Sequence, residues 1–144
     1  MGIQIILTTT ILDMNLNDQV CSLSQAEKLK ELGIEQRKGI FEWCVFMPDP
    51  TGEHHFYAPV YFQEEIEQQL HEWIASAFTV AELGIMLPEE STSWRDGTMW
   101  ACGEMGTDLY MLGKTQAEAM AKELITLLET KDLTPEECNK RLTA

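Results

Sequence analysis

The stretch that decides the fold is Ser91–Glu129, "STSWRDGTMWACGEMGTDLYMLGKTQAEAMAKELITLLE". Asp96-Gly97 is a strong signal for a tight turn between two strands, and "EMGTDLYML" turns again and returns. Thr115 then opens a helix that runs to about Glu129, since Thr115-x-x-Glu118 has the capping-box pattern. One face of this helix is apolar and holds Met120, Leu124, Leu127 and Leu128. The stretch therefore predicts an antiparallel β unit followed by an amphipathic helix.

The same capping pattern predicts three further helices. Ser22-x-x-Gln25 and Ser24-x-x-Glu27 both mark the start of the first, and Gly33 suits its C′ position. Thr79-x-x-Glu82 begins a short helix through about Leu87, which contains Gly84 at a cost of about 1 kcal/mol relative to alanine. We expect either a close backbone contact at this glycine or the end of the helix there. Thr134, with a proline at the next position, begins a C-terminal helix.

The remaining segments predict one more helix and a second β unit. Phe41–Met47 and Phe56–Phe62 flank a Pro/Asp/Gly loop and indicate a hairpin. Because proline donates no ladder hydrogen bond, Pro59 predicts that the second of these strands lies at a sheet edge or is broken there. The spacing of apolar residues predicts a helix from Gln63 to about Ser76.

Residues 1–144 are therefore predicted to form a single α+β domain, with two short antiparallel β units interleaved with four or five helices. Ile3–Leu12 is predicted to be a strand, and residues 1–20 form a possible N-terminal extension of the domain.

Charge and composition exclude several classes of function. The net charge is −14, with 24 acidic against 10 basic residues, so we expect no direct contact with nucleic acid. The apolar run near the N-terminus is too short to span a membrane and lacks the positive flank of a signal peptide. The four cysteines have no metal-binding or redox spacing, which favours free thiols in the cytoplasm.

Acidic residues dominate the middle of the chain. Between Lys38 and Arg95 there are ten carboxylates and no Lys or Arg. We expect them to form an anionic face that binds a basic protein surface. Its predicted residues are Glu42, Glu53, Glu64, Glu65, Glu67, Glu72, Glu89 and Glu90.

An alternative hypothesis is a small enzyme or metal-binding protein that uses Cys44, His54 and His55. The hairpin would place Cys44 opposite Tyr57, with His55 on the diagonal. No third ligand has a fixed spacing to the histidine pair, whereas zinc normally takes three or four protein ligands. No P-loop, nucleophile elbow or dinucleotide-binding pattern is present, so no cofactor and no catalytic residue is predicted.

Four stretches carry a resemblance to a known family. They are "SLSQAEKLKELGI" at 22–34, "SAFTVAELGIMLP" at 76–88, "EAMAKELITLLE" at 118–129 and "TPEECNKRL" at 134–142, about a third of the chain. From Ser22 onward the chain resembles small uncharacterised proteins common in gut Bacteroidales, often encoded in phage-derived or mobile regions. The resemblance implies a phage or prophage accessory protein and leaves its activity open.

These observations together predict a cytoplasmic, non-enzymatic protein that acts by protein–protein interaction through its acidic face. A sharper form of the hypothesis is an inhibitor or decoy of a host protein that handles nucleic acid, because such proteins carry basic surfaces. A third possibility is a component with only a structural role, such as an assembly subunit.

Overall fold

A computed structural model describes residues 16–36, 41–46, 56–61 and 71–143. These residues form five helices and two three-stranded antiparallel sheets, which confirms the predicted α+β class. The helices are α1 Leu16–Gln19, α2 Leu23–Glu31, α3 Val80–Met86, α4 Gln116–Glu129 and α5 Pro135–Thr143. The strands are β1 Phe41–Phe46, β2 Phe56–Tyr61, β3 His71–Ser76, β4 Ser91–Asp96, β5 Met99–Glu104 and β6 Tyr110–Gly113.

The capping residues fix where the helices begin, as predicted. At α2 the Ser22 hydroxyl accepts from the backbone N–H of Gln25, and the Gln25 side chain accepts from the Ser22 N–H. Thr79 and Glu82 form the same reciprocal pair at α3. After α2, Gly33 has φ of 100°, a left-handed conformation that glycine adopts without steric cost.

The other two predicted helices also begin at a threonine. Thr115 accepts from the N–H of Glu118 at 3.1 Å, while the Glu118 carboxylate pairs with Lys122 one turn later at 3.6 Å. Thr134 accepts from the N–H of Glu137 at 3.2 Å, and Pro135 is the first residue of α5. The four-residue helix α1 was not predicted.

The first sheet has the strand order β2-β1-β3, so β1 is its central strand. The β1–β2 hairpin is confirmed, and Pro59 lies on the edge strand β2, where its missing donor leaves the β1 ladder intact. The predicted register is wrong by one residue, because Cys44 pairs with Ala58 while Tyr57 pairs with Val45.

The predicted helix from Gln63 to Ser76 is wrong in its C-terminal part. His71–Ser76 forms β3, which pairs antiparallel with β1. Pairing on both sides satisfies the backbone groups of β1. Ala75 and Ser76 at the end of β3 are buried. Residues 62–70 lie outside the described ranges, as does the strand predicted at Ile3–Leu12.

The second sheet is a meander, β4-β5-β6. The Asp96-Gly97 turn is confirmed, and Gly97 has φ of 67°. Helix α4 packs across all three strands. Gly113 permits the closest approach, because a Cβ atom there would lie 2.5 Å from the backbone nitrogen of Ala119.

One apolar core joins the two sheets. Phe78, Leu83 and Leu124 are completely buried in it. Cys21 donates its N–H to the carbonyl of Phe78, and the indole of Trp43 on β1 donates to the carbonyl of Cys21 at 3.0 Å. Val20, which pairs with Thr79 across an isolated bridge, is also buried, so the core includes residues from the predicted N-terminal extension.

Candidate functional site

The structure places two of the predicted acidic residues at the surface. Glu89 and Glu90 are exposed in the turn between α3 and β4. Glu72 lies on β3. The other predicted residues of the acidic face, apart from Glu42, lie outside the described ranges, and they are Glu53, Glu64, Glu65 and Glu67.

Glu42 does not belong to an exposed face. Its side chain is only 3 % exposed, and its neighbours Trp43 and Cys44 are buried too. Successive residues of a strand point to opposite faces. Both faces of β1 are therefore covered at this point, which removes Glu42 from the predicted interaction surface.

The thiol chemistry of Cys44 does not favour the enzyme or metal-binding alternative. Burial, reinforced by the negative charge of Glu42, raises the pKa of Cys44 to about 11. A thiol in this state is protonated at neutral pH and is a poor nucleophile and metal ligand. His54 and His55 lie outside the described ranges, and the described residues contain no group of three or more His, Cys, Asp or Glu side chains that could hold a metal ion.

The other three cysteines are also buried and have raised pKa values. Cys21, Cys102 and Cys138 are buried free thiols. Desolvation raises the pKa of Cys21 and of Cys102 to about 12 and that of Cys138 to about 11. All four cysteines are therefore structural residues of the core, in agreement with the prediction of free thiols.

A groove of about 410 Å³ opens between the second sheet and the C-terminal half of α4. Three separate segments of the chain supply its walls, at 88–91, 104–111 and 123–132. We call it the acidic groove, and its described lining residues are Pro88, Glu90, Ser91, Glu104, Leu109, Met111, Glu123, Thr126, Leu127, Thr130 and Asp132. Four of these are carboxylates, and none of the described lining residues is a Lys or Arg.

The most unusual side chain in the acidic groove is Glu123. It projects from the middle of α4 and is 8 % exposed. Burial, together with the charge of Glu104 at the end of β5, raises its pKa. Its own charge in turn contributes to the raised pKa of Cys102. The lining of the groove therefore holds a mostly buried glutamate whose pKa is raised.

Apolar side chains lie beside these carboxylates. Leu109, at the loop that leads into β6, is 72 % exposed although it is a large aliphatic residue. Met111 and Leu127 line the groove further in and are partly buried. An exposed apolar surface with a charged rim is typical of a site where another molecule binds.

A second, more polar cavity of about 620 Å³ adjoins the groove. The two share Pro88, Glu90 and Ser91. Arg141 of α5 lines this second cavity and donates to the carbonyl of Met86 at 2.9 Å. The turn that carries Glu89 and Glu90 therefore lies between two concave surfaces. The described lining of the second cavity includes a basic residue, whereas that of the acidic groove does not.

Sequence reasoning missed Glu104, Glu123 and Asp132. A signal for Glu123 was present, because it falls three residues after Met120 and four before Leu127, on the apolar face of α4. A carboxylate on the apolar face of a helix indicates either a buried polar contact or a ligand-binding site. For Glu104 and Asp132 we find no comparable signal, since only the folded chain brings them to the groove.

No described helix has the length and apolar character needed to cross a membrane. Comparison with protein-family models gave no match, and neither the curated proteins nor the solved structures contain a match to this chain.

Proposed function

We propose that this protein is a phage- or mobile-element-type accessory protein that acts in the cytoplasm by binding another protein. The partner presents a basic surface, and the acidic groove together with the Glu89–Glu90 turn receives it. The observation that supports this proposal is the groove itself, which combines an apolar wall with four carboxylates and no basic residue among its described lining.

The charge of the whole chain supports the same proposal. A net charge of −14 repels phosphate backbones and attracts cationic surfaces, and it speeds the encounter with a basic partner. Proteins that bind nucleic acid carry such basic surfaces. We therefore propose a host protein that handles nucleic acid as the partner, and its inhibition as the outcome.

The arrangement does not favour an enzyme. The described lining of the groove contains no Cys or His, and the nearby thiol of Cys102 is buried and has a raised pKa. Glu123 and Glu104 could serve as an acid–base pair only if a substrate were bound, and they equally suit a cationic ligand. We assign the groove to binding.

Affinity capture from a Bacteroidales lysate at low and high ionic strength tests the proposal. The wild-type protein should recover a basic protein at low ionic strength and lose it at high ionic strength, because exposed ion pairs are screened by salt. The variant Glu89→Gln/Glu90→Gln should recover much less of it.

The matched control is Asp18→Asn/Glu27→Gln, which removes the same charge from exposed positions on α1 and α2. It should recover the partner as the wild type does. Equal recovery by both double variants, or binding that does not change with salt, would contradict the proposal.

A further inference from the structure

Glu123 is mostly buried, and the described residues supply no partner for its carboxylate, whose oxygens are left open to the acidic groove. Within the described part of the chain it makes no hydrogen bond and no ion pair, and more than nine-tenths of the residue is buried. Burying a charge in this way is costly unless an opposite charge or hydrogen-bond donor compensates it. Its position in the lining of the acidic groove means that a ligand there could provide the compensation.

A second carboxylate increases the need for a cation. Glu104 acts on Glu123 across the groove, and its charge makes the negative form of Glu123 harder to maintain. Glu104 likewise has no ion-pair partner among the described residues. Two neighbouring anions that lack a counter-charge make the inner groove a site for a positive group.

The apolar residues decide what kind of cation fits. The described residues contain no group of three or more His, Cys, Asp or Glu side chains that could hold a metal ion, which does not favour a metal here. Leu109, Met111 and Leu127 instead offer a surface for a hydrocarbon chain. Arginine combines both features, because its planar guanidinium can hydrogen-bond to carboxylates while its methylene stem packs on apolar surface.

We infer that the acidic groove is a receptor for a single arginine side chain of the partner protein, with its guanidinium between Glu104 and Glu123 and its stem against Leu109 and Leu127. The inference rests on the proposed function and names the group that the groove recognises. The groove volume of about 410 Å³ lies within the roughly 300–1,000 Å³ of cavities that hold small ligands. Arginine is preferred to lysine because it is more weakly hydrated and presents donors to two carboxylates at once.

A titration with short peptides, followed by amide NMR shifts, tests this site without the partner. The probes are acetyl-Leu-Arg-Leu-amide and the same peptide with lysine or with citrulline, which keeps the shape of arginine but is neutral. The arginine peptide should shift the amide signals of Leu109, Met111 and Glu123. The lysine peptide should bind more weakly, and the citrulline peptide should cause no shifts in the groove.

Variants of the two carboxylates complete the test. Glu123→Gln and Glu104→Gln should each weaken binding of the arginine peptide about tenfold or more, as expected when a charged hydrogen bond is lost. Glu27→Gln on α2 should bind it as the wild type does. Glu104 is exposed, so its variant tests the site even if the change at Glu123 disturbs the fold.

Several results would overturn the inference. They are equal binding of the citrulline or lysine peptide, unchanged affinity in both groove variants, or shifts confined to residues outside the groove. In any of these cases salt-sensitive capture of a basic partner through Glu89 and Glu90 would still support the proposed function. If the capture failed but the arginine peptide still bound specifically, the arginine site would be supported and the proposed function would be contradicted.

Discussion

The two sheets have the same number of strands but are covered differently. In the first sheet, the central strand β1 has buried residues on both faces, including Glu42. In the second sheet, one face packs on α4, while the other carries Trp94 and Tyr110, whose rings meet at 5.7 Å between centroids. Tyr110 and Leu112 on this outer face remain partly exposed.

This difference determines what a carboxylate can do in each sheet. Glu42 is enclosed by the fold and is not accessible to a partner. Glu104, at the end of β5, is exposed and faces Glu123 on the covering helix. The proposed binding surface therefore lies beside the second sheet, whereas Glu42 of the first sheet is enclosed.

The largest expected effect on stability comes from removing a contact between the first sheet and the core. Trp43→Ala removes a buried indole and its hydrogen bond to the carbonyl of Cys21. We expect a loss of about 3–5 kcal/mol in the free energy of unfolding, the usual cost of truncating a large core aromatic. Urea denaturation measures the loss, and hydrogen exchange shows where protection falls.

Protection should fall in β5 and α4 as well as in β1, because one core joins the two sheets. If the amides of β5 and α4 kept their wild-type protection, the sheets would be separate folding units, and their comparison would concern two modules rather than two sides of one core.

A smaller loss of stability is expected from a change at the contact between the second sheet and α4. Gly113→Ala would place a Cβ atom 2.5 Å from the nitrogen and 2.9 Å from the Cα of Ala119, and backbone cannot easily move away. We expect destabilisation of about 1–3 kcal/mol, as for other overpacked sites. Thermal and urea unfolding measure it.

Gly84→Ala is the matched control for this change. Its Cβ would meet only the flexible end of Met120 at an ordinary 3.5 Å, so the close contact that the sequence predicted at Gly84 is not observed. The higher helix propensity of alanine should therefore decide the outcome, and the free energy of unfolding should rise by up to about 1 kcal/mol. If both glycine variants lost stability alike, the tight junction at Gly113 would not be the cause.

The smallest expected effect concerns the pH dependence of stability. The folded-state pKa of Glu123 lies above its ordinary value of 4.5, so between these two pKa values the folded protein binds more protons than the unfolded chain. Raising the pH through this window therefore destabilises wild type relative to Glu123→Gln. Urea unfolding of both proteins at a series of pH values measures the difference.

Glu104 and Cys102 of β5 interact electrostatically with Glu123, and two further carboxylates, Glu90 and Asp132, line the same groove. Of these, Glu104 contributes to the raised pKa of Glu123, so Glu104→Gln should reduce the same pH dependence. A stability difference that stayed constant with pH, or that changed in the opposite direction, would show that Glu123 is well solvated.

Local signals explain why most of the second sheet and the helices could be predicted. Asp96-Gly97 and the capping residues Ser22, Thr79 and Thr115 each act over a few positions, so a short window contains the whole cause. The sequence predicts a helix at β3 because its apolar residues have helical spacing within a short window. The pairing that makes this segment a strand is with β1, some thirty residues earlier in the chain.

The candidate site was predicted only in part for the same reason. Glu89 and Glu90 stand in an obvious polar turn, and the structure exposes them. The acidic groove, however, depends on how α4 lies across β5 and β6, which no single segment specifies. Glu42 shows the reverse error, since an acidic residue in a strand is expected at the surface, whereas the fold leaves its side chain only 3 % exposed.

The four enclosed thiols have a practical consequence for how this molecule can be studied. They lie before α2, on β1, on β5 and on α5, so they sample four different regions of the chain. An alkylating reagent reaches each sulfur only when its surroundings open, because the closed state shields it and keeps it protonated. The native sequence thus contains its own set of local-unfolding reporters, and the order in which they are modified reports which region opens first.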